Sequence, residues 1–412
     1  MKLPQIITSL LSNDLYKFSM GQAIYHSYSE YNTTWSFKCR NKNVTFTPEM
    51  VQEIKEQIQA YCKLRYTEDE LSYLHSIGGR AGHKGWIHGN YINYLRLWQP
   101  RFEDFEISND GPCGLSIETK GTWLNTSMYE IPTLAIVNEV YFRMEYKYED
   151  LLKSFKEKLD AKVESLKNDT FRLGPFSEFG LRRRLSEEAQ DYAVKQLAEK
   201  CSNLPHTKFV GTSNVFLARK YNITPVGTMA HEFIMCIGQG DPRHNPAYSN
   251  WYSMKAWVKE YGVLNGTYLT DCIGDQLCRR DMNLTYSTVF SGVRNDSGDP
   301  YEWGNNWIKH YEDLGIDPKS KTLLFSNALD FKRATEIYDY FNGKIKTAFG
   351  IGTFIANDTC AEPLNIVMKV TKCNGSDVAK LSDDVDKGMC KNDAYIEYLR
   401  RCINWRLNNS EN

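Results

Sequence analysis

A chain of 412 residues, 42% of them hydrophobic and 25% charged, has the make-up of an ordinary globular protein and is long enough for about two to three domains. Its 50 basic and 51 acidic residues leave a formal net charge of −1. This excludes a general binder of nucleic acid or anionic membrane, both of which need a positive excess, but not an enzyme for a small anionic substrate. The 11 cysteines are odd in number, scattered and without a Cys-x-x-Cys pair, which excludes a secreted disulfide framework and implies buried free thiols in a reducing cytoplasm.

The N-terminal run MKLPQIITSLLSNDLYKF carries two lysines and only a broken apolar stretch, too short for a signal sequence. No stretch is apolar enough to span a membrane. Ser12-Asn13-Asp14 reads as a helix start ahead of an amphipathic run to His26. Residues 33–40 alternate as a strand does, 49–77 read as helices, and 115–124 read as strand. A long apolar helix is predicted over 131–146, with Pro132 suited to its first turn.

From about residue 171 short β-rich runs alternate with helical stretches. The predicted strands are 208–211, 223–227, 266–270, 288–293, 322–326 and 345–350, with one more before Phe179; helices include 186–200, 302–315 and 330–342. Such alternation implies parallel strands joined by helical crossovers. The expected fold is α/β: an irregular (β/α)8-type barrel, complete or not, with an N-terminal α+β domain. The division is placed at residues 1–125 and 126–412. The C-terminal part adds a hairpin-like pair, 365–373 and 377–382, around Asn374-Gly375, and a final basic helix.

The polar and glycine-rich clusters fall where each predicted strand ends and its helix begins. They are Glu178 to Arg184, Gly211 to Asn214, Gly227 to Glu232, Thr270-Asp271, Arg294 to Asp299, Ser326 to Asp330, and Gly350 to Thr353. In parallel α/β folds this is the end that holds active sites. Turn-making and capping explain any one cluster equally well, but not Arg182, Arg183, Arg294 and His231 at the same end. Gly350-Ile351-Gly352-Thr353 follows the last strand, where a phosphate often binds. His231-Glu232 lacks the second histidine of a zinc protease helix. His231 is therefore either a structural histidine or a neutral base or nucleophile toward phosphate. Arg294 with Asp296 and Asp299 is either a phosphate clamp with Mg2+ near the acids or an internal salt bridge.

Taken together and in this order, the clusters resemble the nicotinate phosphoribosyltransferase family. Asn13-Asp14-Leu15-Tyr16-Lys17 resembles its opening Asp-Leu-Tyr-Lys motif, and Phe179-Gly180-Leu181-Arg182-Arg183 its Phe-Gly-x-Arg-Arg motif. Gly211 to Asn214, Thr224 to Glu232, Arg294 to Asp299 and Gly350 to Thr353 also have counterparts there. Met229 and Asn295 depart from the pattern at positions expected to vary. The resemblance runs from about residue 10 to the end and implies a type II phosphoribosyltransferase; no acidic Asp-Asp-x-x-x-x-Gly loop of the type I enzymes is found. It implies transfer of phosphoribosyl from phosphoribosyl pyrophosphate to nicotinate, giving nicotinate mononucleotide and pyrophosphate. ATP would be a co-substrate and phosphorylate His231.

The roles implied are these. Asp271, Asp296 and Asp299 lie near Mg2+, with Arg294, Asp296, Asp271 and His231 catalytic. Arg182 and Arg183 neutralise phosphate or the nicotinate carboxylate. Phe179 and Tyr16 stack on the pyridine. Ser326, Asn327, Gly350, Gly352 and Thr353 hold the 5-phosphate, and Asp14, Gly180, Thr212, Ser213, Asn214 and Thr228 complete the substrate site. A homodimer is implied, with Tyr16 borrowed from the neighbouring subunit. The rival readings are a nicotinamide- or quinolinate-specific transferase, and a non-catalytic nucleotide or phosphate sensor on the same scaffold. A barrel lyase or aldolase would need a Schiff-base lysine at a strand end, and no cluster offers one.

Overall fold

The computed structural model describes residues 3–79, 85–381, 390 and 392–409. Among the described residues twelve strands run in chain order: β1 Asn32–Cys39, β2 Phe105–Ser108, β3 Ser116–Thr122, β4 Gly174–Glu178, β5 Thr207–Thr212, β6 Thr224–Pro225, β7 Thr267–Leu269, β8 Gly292–Asn295, β9 Thr322–Phe325, β10 Lys346–Ile351, β11 Ile366–Cys373 and β12 Ser376–Asp377. They form two sheets. The first is antiparallel in the order β12-β11-β1-β3-β2, and the second has seven strands in the order β6-β5-β4-β10-β9-β8-β7. Every pairing in the second sheet is parallel.

That order is a barrel cut once. The chain winds outward from β4 to β6, restarts at the far edge with β7, and returns so that β10 closes on β4. Among the described residues β6 and β7 do not pair; the chain between them makes the helices His231–Gln239 and Ser249–Tyr261. The expected barrel is therefore present in its incomplete form. Its core is aromatic: Phe176, Phe209, Phe325 and Phe349 are buried, and the Phe325 and Phe349 rings stack 5.7 Å apart.

Helix Glu130–Glu145 ties the sheets together. Thirteen of its residues, Glu130 to Phe142, are buried, and it packs against helix Pro48–Tyr61 on one side and β11 on another. A helix apolar all round is a core helix, not an amphipathic surface one. Helix Leu15–Ser27 is a correction of the same kind. Its expected amphipathic character is absent, because polar Lys17, Ser19 and Gln22 are as buried as Phe18 and Met20.

Other differences are local. The run predicted as strand 288–293 splits into helix Leu284–Val289 and β8, four residues later than expected. Strand β2 and the 20-residue helix Tyr148–Lys167 were not anticipated. The predicted C-terminal hairpin forms as β11 and β12, with Asn374 in left-handed backbone at φ 50°. Ser382 of that hairpin lies outside the described residues. β11 joins the N-terminal sheet by pairing with β1 along Trp35↔Val370 to Cys39↔Ile366. All 11 cysteines are free, but Cys360 is exposed and Cys39, Cys113, Cys390 and Cys402 are only partly buried. No helix of the described residues is long and apolar enough to cross a membrane.

Candidate active site

The C-terminal ends of β7, β8 and β9 deliver acids and a cation to the start of the helix that carries His231. His231 opens helix His231–Gln239, and its Nε2 lies 2.9 Å from Asp271 Oδ1 and 3.9 Å from Asp296 Oδ2. Asp271, just past β7, accepts on its other oxygen from Lys380 Nζ at 2.7 Å and from the Ser297 hydroxyl at 2.6 Å. Arg294, on β8, donates from Nε to Ser326 Oγ at 2.8 Å and lies 3.4 Å from Asp296.

Electrostatics fix the charge states. Burial would raise Asp271, but His231 and Lys380 hold it well below the usual carboxylate range. Burial likewise opposes ionisation of Asp296, and Arg294 overcomes it. The His231 imidazole is pushed down to about 4, by burial first and then by the Lys380 cation, against the pull of Asp271. It is neutral near pH 7. Since ionised Asp271 can only accept, Nε2 carries the proton and Nδ1 keeps the lone pair.

Cations surround this centre. Lys369, on β11, is pushed down to about 7 by burial and by Lys380, Arg40 and Arg182. Arg183 is pushed down to about 9 by burial and by Arg182 and Arg40. Groups that repel one another in this way are poised to take an anion. Phe179 lies beside them, partly exposed, with the Arg294 guanidinium 5.9 Å from its ring centre. Arg182 is 3.8 Å from Glu130, and its field reaches Asp14 and Tyr16.

The structure sorts the expected site residues. His231, Asp271, Arg294, Asp296, Ser326, Phe179, Arg182 and Arg183 are brought together with Asp14 and Tyr16 alongside. Arg183 is also tethered, donating from Nε to the Ile366 carbonyl at 3.1 Å. Thr212 is fully buried and donates to Glu178 at 2.6 Å. Asn214 caps helix Val215–Lys220, and Ser213 donates to Asp14 at 2.6 Å. Thr228 accepts through its backbone oxygen from Ser19 at 2.6 Å.

Asp299 caps helix Pro300–Asp313, accepting from the Tyr301 and Glu302 N–H groups at 3.0 and 2.8 Å. For Asp299 the capping explanation holds through its Oδ1. Gly350 makes room for Phe179, since a Cβ there would lie 2.4 Å from the ring. Gly180 is likewise closed in by Ala356 and Glu178. Gly352 and Thr353 begin the short helix Thr353–Ala356 after β10, and Asn327 follows Ser326 at the end of β9.

Within the chain, Leu15 N–H donates to the Ser213 carbonyl at 2.9 Å and Asp14 bridges Asn214. Those backbone bonds fix Tyr16 beside its own barrel. Glu232, next in the chain to His231, turns away from it. It points to Lys17 at 2.8 Å and accepts from Ser127 at 2.5 Å. Lys369 and Lys380 were missed; their signal was a lysine inside each of two otherwise apolar runs, Ile366–Val370 and Val378–Leu381.

His231, Asp271 and Asp296 offer three donor atoms within 4.8 Å of one another. Asp296 is the more accessible of the two carboxylates, its side chain 23% exposed against 3% for Asp271, and so the better placed to meet Mg2+. One carboxylate completed by water and substrate phosphates suits that ion.

The comparisons agree with this geometry. Residues 175–406 match the nicotinate phosphoribosyltransferase (NAPRTase) family, and residues 11–138 match the nicotinate phosphoribosyltransferase N-terminal domain. A nicotinate phosphoribosyltransferase of Acidovorax sp. (strain JS42) is 39% identical over 400 residues, covering 96% of this chain and 98% of the relative. The crystal structure of nicotinate phosphoribosyltransferase from Porphyromonas gingivalis superposes with a TM-score of 0.87 at 31% identity, covering 96% of this chain and all of that one. The Vibrio cholerae structure of that name gives 0.87 at 32% identity, over 97% and 94% of the two chains. With both halves of the chain matched in sequence and the whole of it matched in fold, the protein belongs to the nicotinate phosphoribosyltransferase family.

Proposed function

We propose that the protein joins nicotinate to phosphoribosyl pyrophosphate, the first step of NAD synthesis from nicotinate, and couples the transfer to ATP through His231. The observation that carries this reading is the convergence of Arg182, Arg183, Arg294, Lys369 and Lys380 beside the Phe179 ring and the His231–Asp271 pair.

In the transfer, the pyridine nitrogen forms a bond to C1 of the ribose while the C1–oxygen bond to diphosphate breaks. Charge builds on the leaving diphosphate, and fixed cations stabilise it without reorganising. Phe179 and Tyr16 are the stacking surfaces for the pyridine, and Arg182 is the partner for its carboxylate. Ser326, Asn327 and the turn at Gly350–Thr353 are assigned to the 5-phosphate, as the loops after the last strands of a barrel commonly are. Mg2+, held through Asp296 and water, would neutralise diphosphate charge.

In the coupled step Nδ1 of His231 attacks the γ-phosphorus of ATP and ADP leaves. Asp271 holds the Nε2 proton and stabilises the charge that develops on the ring. Water later cleaves the N–P bond and releases phosphate.

The test combines purified protein, phosphoribosyl pyrophosphate and Mg2+ with nicotinate, nicotinamide or quinolinate, with and without ATP. Nicotinate is expected to exceed nicotinamide by about ten- to hundredfold, the value of a charge-assisted hydrogen bond. Equal rates would discard the substrate assignment. γ-labelled ATP should give a base-stable, acid-labile label that His231→Asn lacks. ATP-stimulated turnover in an unlabelled enzyme would discard the phosphohistidine.

A further inference from the structure

Away from the substrate site, three separate elements bring two imidazoles and a carboxylate to one point. His26 stands in the last turn of helix Leu15–Ser27. His88 is the N-cap residue of helix Gly89–Leu97, and Glu260 lies in the last turn of helix Ser249–Tyr261. His26 Nδ1 is 2.8 and 2.9 Å from the two Glu260 oxygens, and His88 Nδ1 is 4.0 Å from Glu260 Oε1. All three donor atoms lie within 4.8 Å of one another. Donors around a tetrahedral zinc, each about 2.0–2.1 Å from the ion, sit about 3.3 Å apart. The observed spacings bracket that value, so small side-chain rotations would close the site.

The support behind these residues is built as an outer shell should be. Gln22, one turn before His26 and fully buried, accepts from the His88 N–H at 2.6 Å. Its amide nitrogen donates to the Trp86 carbonyl at 3.1 Å and lies 3.4 Å from the hydroxyl of Tyr261, the neighbour of Glu260. One side chain thus links the helix of His26 to the backbone at His88 and to the residue after Glu260. Among the described residues His26 Nε2 is buried without a hydrogen-bond partner, which leaves Nδ1 as the working nitrogen of that ring. A plain His26–Glu260 hydrogen bond leaves the approach of His88 unexplained. His88 is 53% exposed, yet its ring turns to the same carboxylate, 5.5 Å from the His26 ring.

We propose that His26, His88 and Glu260 bind a divalent transition ion of the imidazole-seeking kind, zinc first, with water completing the coordination. The site is separate from substrate chemistry. Ten residues at about 1.5 Å each put His26 about 15 Å along the axis from Tyr16, towards the other end of the same helix. Its effect would be to clamp the far end of the helix that presents Tyr16 to the substrate.

The test uses the full chain, stripped of metal by a chelator and carrying His231→Asn so that the other cluster cannot compete. Calorimetric titration with Zn2+, and visible absorption with Co2+, are run in excess Mg2+. About one equivalent of zinc should bind and raise the melting temperature. Losing an outer partner alone weakens metal affinity about 10–100-fold, so His88→Ala and Glu260→Gln should each weaken it by at least about tenfold. His88 is exposed, so His88→Ala decides the matter if Glu260→Gln does not fold. Equal zinc affinity with and without His88→Ala, or no binding in either protein, overturns the proposal.

Discussion

Lys380 does two things to the catalytic pair at once. It bonds Asp271 at 2.7 Å, and its charge helps push His231 down to about 4. A free imidazole loses half its nucleophilic form near about pH 6.5; His231 should not. Labelling of wild type by γ-labelled ATP is expected to hold steady from about pH 8 to about pH 5 and to fall only on approaching about pH 4. Lys380→Met removes a repelling cation, so its midpoint should move up toward about 6.5, the ordinary histidine value. Initial rates quenched in base measure both, and an unmoved midpoint in Lys380→Met would discard this account of the shift. Asp296 keeps its charge through Arg294 instead, so the two acids are not interchangeable.

Helix Leu15–Ser27 shows what an element costs when it is buried all round. Lys17 is fully enclosed, 2.6 Å from Glu130 and 2.8 Å from Glu232, with the Trp35 ring 4.8 Å away. Lys17→Met would leave two carboxylates buried without their cation, which should cost about 3–5 kcal/mol at pH 7. Burial already pushes Glu232 up to about 6, above the ordinary glutamate value of about 4.3. Such a raised group stabilises the fold when protonated and loses that contribution as pH rises through the folded value. The Lys17→Met deficit should therefore shrink below about pH 6, as urea midpoints across pH would register; a deficit independent of pH would contradict it. At β10, Gly350→Ala would drive a methyl into the Phe179 ring. It should raise KM for nicotinate while leaving the denaturation midpoint within about 1 kcal/mol of wild type. These elements also mark the limit of the sequence. β4 to β10 were legible because parallel strands are short apolar runs closed by polar turns. The helix at Leu15 misled because its buried lysine is satisfied by Glu130 and Glu232, more than 100 residues away in sequence. Lys369 and Lys380 escaped because only the pairing of β11 with β1 turns that hairpin toward the barrel.

At the scale of the molecule, the two sheets are one working unit. β11 returns from the barrel to pair with β1, and Asp14 returns from the N-terminus to bridge Asn214 after β5. The second link decides how the site is assembled. Leu15 N–H bonds the Ser213 carbonyl, Val215 N–H bonds the Asn13 carbonyl at 3.1 Å, and Ser213 Oγ bonds Asp14. Backbone bonds on both sides of Asp14 hold Tyr16 beside its own barrel, the arrangement of a site completed within one chain. A site shared between subunits would behave differently from this one in a mixing experiment. Tyr16→Ala damages the stacking surface, and Arg294→Ala damages the cation clamp. In a shared site, mixed assemblies would hold one intact centre and recover activity. If each chain completes its own site, every centre keeps one lesion whatever the assembly. Mixing the two inactive variants, with subunit exchange followed by fluorescence transfer between labelled chains, is expected to give only the sum of the separate activities. Recovery well above that sum would mean that Tyr16 leaves Ser213 and crosses to a neighbour in solution.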